Sequence, residues 1–118
     1  MAVGYLYDVV IDCPEPGVLA EFYVKVVGGE IADTSPDWVT LRMPSGARVS
    51  FQQVDDYSAP QWPGQEHPQQ IHFDVMVTDL DESEPLVLAL GAKLLHVKNS
   101  GCRVYADPAG HPFCLVTS

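Results

Sequence analysis

Residues 67–85 read HPQQIHFDVMVTDLDESEP. His72, Asp74 and Met76 alternate with Phe73, Val75 and Val77, the period-2 pattern of a strand with one apolar and one polar-bearing face. The same alternation stands 64 residues earlier, where Asp8-Val-Val-Ile11 falls on His72-Phe-Asp-Val75. With that one offset, Pro44-Ser-Gly46 falls on Pro108-Ala-Gly110, and Val49-Ser-Phe51 on Phe113-Cys-Leu115. A fixed offset linking strands and turns marks an internal repeat.

Each half carries the same order of elements. In the first, the strand YDVVID is followed by PEPGVLAEFYVKVVGG, where Leu19, Phe22, Tyr23, Val26 and Val27 recur at helical spacing and Gly28-Gly29 closes the helix. EIADT, WVTLRM, a PSG turn and RVSFQQV then read as strands joined by turn chemistry. The second half runs IHFDVMV, a helix ending at LALGA, KLLHV, CRVYA, the turn DPAG and PFCLV. Each half is therefore β-α-β-β-β, and the fold class is α+β. Pro85 would interrupt a helix begun at Asp81, so a short second helix is expected from Glu84, with Pro85 in its first turn. The chain reads as one domain, with modules at about 5–55 and 69–117 and a polar, Pro-rich linker at 56–68.

Composition narrows the partners. Six Lys+Arg against 16 Asp+Glu leave a net charge of −10, which repels phosphate backbones and anionic lipid. Nucleic acid and membrane are not expected partners. The opening MAVGYLYDVVIDC has no basic segment followed by a long apolar core, and the expected location is the cytoplasm. Cys13, Cys102 and Cys114 have no CxxC spacing, which favours reduced thiols over a disulfide framework or a zinc ribbon.

The tandem βαβββ order, together with AEFYVKVVGG, HFDVMVTDLD and VYADPAGHPFCLV, resembles the vicinal oxygen chelate superfamily, in particular its small glyoxalase-like and bleomycin-resistance-like members. The resemblance covers residues 5–117 and implies two curved sheets around a common cavity, with helices outside. It also implies homodimers. It does not name a function, because the superfamily spans isomerases, ring-cleaving dioxygenases, thiol transferases and drug-sequestering proteins.

On this reading Val9, Ile11, Val49, Phe51, Phe73, Val75, Val77, Phe113 and Leu115 form the helix-covered face. The opposite face carries Asp8, Val10, Asp12, Ser50, Gln52, His72, Asp74, Met76, Cys114 and Val116, and is expected to line the cavity. The resemblance places a metal centre at the first and last strand of each half, which here means Asp8, Ser50, His72 and Cys114. Only His72 is a usual ligand of the family; Cys114 suits a softer metal, and Ser50 is a poor ligand unless deprotonated. His67, His96 and His111 fall outside the expected positions.

A metal-independent small-molecule binder is therefore preferred. A divalent metal is the alternative, serving a lyase, isomerase or dioxygenase. Expected ligand contacts are Asp12, Gln52, Trp62, His72, Asp74, Met76, Arg103 and Tyr105. Trp62 either offers an aromatic wall or anchors the linker, Trp38 shares that ambiguity, and the parity of Arg103 and Tyr105 is open. His72 and Cys114 are the catalytic candidates. An imidazole beside a thiol favours the thiolate, whereas the apolar stretch PFCLV works against it.

Overall fold

The computed structural model describes residues 2–118. They form two compact units, the first running to Tyr57 and the second Ser58–Ser118. The first contains β1 (Val9–Cys13), α1 (Pro16–Val27), β2 (Glu30–Ser35), β3 (Trp38–Arg42) and β4 (Arg48–Gln53). The second contains β5 (Phe73–Met76), α2 (Leu80–Ala89), β6 (Lys93–Asn99), β7 (Cys102–Ala106) and β8 (Pro112–Val116). Each unit is βαβββ. Among the described residues, no helix is long and apolar enough to cross a membrane.

The two sheets have the orders β1-β4-β3-β2 and β5-β8-β7-β6. In each, the first strand runs parallel to the last, and the remaining pairs are antiparallel. The 64-residue repeat extends to register: Val9 pairs with Val49 and Phe73 with Phe113, while Thr40 pairs with Ser50 and Val104 with Cys114. The outer strands depart from it, because β2 and β6 carry register shifts at different places.

In the first unit, Pro16 starts α1 where its missing N–H costs nothing, and Gly28, at φ 80°, ends it by donating its N–H to Val24 O. Leu19, Ala20, Phe22 and Tyr23 are buried, and α1 lies against β2, β3 and β4. Tyr23 stacks on Phe51 with ring centroids 5.8 Å apart. Ile11, Cys13, Val39, Leu41 and Val49 complete the buried apolar set, so in this unit the face expected to need helix cover has it.

The second unit differs at its helix. Instead of starting at Glu84, α2 starts at Leu80, and Pro85 lies inside it. Asp79 explains the earlier start: its carboxylate accepts from the Glu82 N–H at 2.9 Å, and Asp81 and Glu82 add negative charge to the first turn. Only Leu80 and Val87 of this helix are buried. Polar ties supplement that small apolar contact, as described below.

Candidate functional site

Strand register decides which side chains share a face, since directly paired residues point the same way. In the first unit Val10, Ser50 and Thr40 are partners across three strands, as are Asp12, Gln52 and Trp38. A chain of hydrogen bonds crosses this face. Trp38 Nε1 donates to Thr40 Oγ1 at 2.9 Å, Thr40 Oγ1 and Ser50 Oγ are 2.8 Å apart, and Ser50 Oγ donates to Asp8 Oδ2 at 2.5 Å. Thr40 and Ser50 are buried, whereas Asp12 and Gln52 are exposed. The second Asp8 oxygen, Oδ1, is buried without a hydrogen-bond partner.

In the second unit Asp74, Cys114 and Val104 are partners across β5, β8 and β7, and His96 of β6 pairs with Val104. Those four residues therefore share one face. His72 lies just before β5, with its Nε2 3.3 Å from Asp74 Oδ1. Ligating atoms of His72, Asp74 and Cys114 all lie within 4.8 Å of one another. The Cys114 thiol is pushed up to about 12, first by burial and then by the neighbouring Cys102 thiol and Asp74 carboxylate. That direction is opposite to the one an activated nucleophile requires.

Trp62 packs in the same unit, its ring centroid 5.5 Å from that of His96. The segment around it belongs to this unit through further contacts: Gln61 N–H donates to His67 O at 2.6 Å, and Ala59 lies against Gly110. Trp62 thus meets a residue of the Asp74–Cys114 face, a contact compatible with both sequence readings of this side chain. His67 lies in that segment, and His111 lies in the turn before β8, where its N–H donates to Asp107 Oδ1.

Arg103 and Tyr105 lie on the other face. They pair with Leu115 and Phe113, and Tyr105 stacks on Phe113 at 5.5 Å. Tyr105 donates its hydroxyl to Glu84 Oε1 at 2.8 Å, while Arg103 donates to Asp81 Oδ1 at 2.6 Å and to Leu80 O at 3.4 Å. The hydrogen bond to Asp81 is the main reason the Arg103 guanidinium lies above its ordinary pKa. Burial, followed by the bond to Glu84, pushes the Tyr105 phenol up. Both residues hold α2 to its sheet.

Of the sequence-derived metal positions, Asp8 and Ser50 meet in the first unit, and His72 and Cys114 in the second. Of these, Ser50 has the donor chemistry least suited to a metal. Ser50 is fully buried, and its hydroxyl proton is committed to Asp8. Thr40 and His96 complete these faces and are absent from the sequence-derived set. The PSG turn pairs Arg42 with Arg48 and so places Thr40 opposite Ser50, a usable signal. His96 had none, because register shifts in β6 break the alternation that would have assigned its face.

The fold has many solved counterparts. A glyoxalase/bleomycin resistance/dioxygenase family enzyme from Burkholderia phytofirmans PsJN is similar at TM-score 0.73 and 17% identity, with 97% of this chain and 98% of that one covered. A possible glyoxalase from Bacillus cereus is similar at 0.72 and 12%, with 98% and 99% covered. A fosfomycin resistance protein from Mesorhizobium loti is similar at 0.72 and 13%, with 100% and 94% covered. At these identities the likeness concerns the fold. No curated protein sequence matches the chain. Residues 8–116 match the family model of the glyoxalase-like domain, and the chain belongs to that family within the vicinal oxygen chelate superfamily.

Proposed function

We propose that this protein binds a small organic molecule and does so without the family's four-residue metal centre. The observation that supports this most is the mixed face of the second unit. It carries the Trp62–His96 ring pair and the exposed Asp74 and Met76, and Met76 also lines an open depression of about 460 Å³ with Val77, Thr78, Ser83, Thr117 and Ser118. His72, Asp74, Met76 and Trp62 are the proposed contacts here, and Asp12 and Gln52 those offered by the first sheet. Arg103 and Tyr105, engaged with α2, are left out. The same reading has the protein act in the cytoplasm as a homodimer.

The test is a thermal-shift screen of metal-stripped protein against aromatic and heterocyclic compounds. Stabilisation by some of them, weakened in Trp62→Ala, is the expected result. Failure of every compound with metal-stripped protein, together with turnover by metal-loaded protein, would overturn it. That outcome belongs to the second reading, a metal-dependent lyase, isomerase or dioxygenase, which the closeness of His72, Asp74 and Cys114 favours.

A further inference from the structure

The geometry points to a binding site for a soft divalent ion, zinc by preference, built from His72, Asp74 and Cys114 within the second sheet alone. It does not depend on the ligand reading above. It departs from the arrangement implied by the family, because Asp74 occupies none of the four expected positions and neither Asp8 nor Ser50 takes part.

Three observations carry the site. The first is spacing. Tetrahedral zinc with bonds of about 2.0–2.2 Å to nitrogen and oxygen sets those ligand atoms roughly 3.3–3.6 Å apart. His72 Nε2 and Asp74 Oδ1 are already 3.3 Å apart. All three donor atoms lie within 4.8 Å of one another, so closing on an ion requires only small side-chain rotations.

The second is positioning by the sheet. Asp74 and Cys114 are direct partners in the parallel β5–β8 pair, and β8 is an interior strand held by β7 on its other side. The backbone therefore sets two of the three ligands. Cys114 is buried at 8% exposure, while the side chains of His72 and Asp74 are 41% and 59% exposed. An ion can thus enter from solvent and meet a sulfur at the floor of the site.

The third is chemistry. One thiol, one imidazole and one carboxylate make a borderline-soft set that suits zinc and disfavours magnesium and calcium, which take oxygen ligands. On binding, the Cys114 proton leaves to solvent and the thiolate bonds the ion, with no change of oxidation state. Three protein ligands leave a fourth position open to water or to a ligand oxygen. The Cys102 thiol neighbours Cys114 but is not needed for this set.

The experiment titrates the metal-stripped full chain with Zn²⁺ by calorimetry and with Co²⁺ by absorption. One equivalent should bind, with cobalt showing tetrahedral bands and a thiolate charge-transfer band that zinc abolishes. Cys114→Ser should remove the charge-transfer band. Asp74→Asn, at an exposed position that does not threaten folding, should weaken binding by more than the roughly 10- to 100-fold typical of changes to outer-shell partners. Asp8→Asn, Ser50→Ala and Cys102→Ser should bind as wild type. The proposal is overturned if one equivalent binds without a charge-transfer band, if no stoichiometric binding occurs, or if Asp8→Asn abolishes binding while Asp74→Asn leaves it intact. The last pattern would restore the family arrangement.

Discussion

Ser50 Oγ donates to Asp8 Oδ2 across 2.5 Å, joining residues 42 apart in sequence on one face of the first sheet. Ser50 also lies 2.8 Å from Thr40 Oγ1, so its hydroxyl sits between two buried or half-buried oxygens. Ser50→Ala leaves both without that partner. Orphaning a buried polar group costs about 1–3 kcal/mol, and urea unfolding of the variant should show a loss in that range. An unchanged midpoint would mean that water replaces the hydroxyl at no cost.

The Tyr105 phenol gives the protein an alkaline weakness. Its pKa in the fold is raised by burial and by the bond to Glu84, whereas an unfolded tyrosine titrates near pH 10. Between those values the folded state holds a proton that the unfolded state has lost, so stability falls as pH rises. The contribution is fully present below about pH 10 and declines above it. Unfolding free energies measured from pH 8 to 11 should bend downward near the top of that range. Tyr105→Phe should flatten the bend.

Gly29 is a position where nothing larger fits. Its φ is +89°, and a Cβ there would lie 2.5 Å from the carbonyl oxygen of Arg42. The left-handed conformation alone costs an L-residue about 1–2 kcal/mol, and the backbone contact adds to that. Gly29→Ala should therefore lower the unfolding free energy obtained from urea titration by at least that amount. Gly28→Ala, with a similar φ but open space around it, should lose less.

Trp62 can be isolated as a reporter. The chain has two tryptophans, and Trp38 is tied to Thr40 rather than to the His96 face. A Trp38→Phe variant therefore emits from Trp62 alone. A compound that binds beside His96 should change this emission, while Trp62→Ala should show no emission change and roughly 2- to 10-fold weaker binding, given about 0.5–1.5 kcal/mol for an aromatic pair. Equal affinity in both variants would remove Trp62 from the site.

Short-range periodicity was enough to read βαβββ twice. The alternation in YDVVID and IHFDVMV assigned the faces of β1 and β5, and the PSG and PAG turns aligned β3–β4 and β7–β8 in matching register. Those signals are legible because a strand's face repeats every two residues and a tight turn fixes its partner. Other features depended on tertiary packing. Arg103 and Tyr105 face α2 because Asp81 and Glu84, about 20 residues upstream, supply partners there. α2 tolerates Pro85 because a capped first turn and these ties hold it. The shifts in β6 put His96 beside Trp62, and Ser50 directs its hydroxyl to Asp8. A side chain's chemistry there follows from the group that meets it across space, and no local pattern encodes that group.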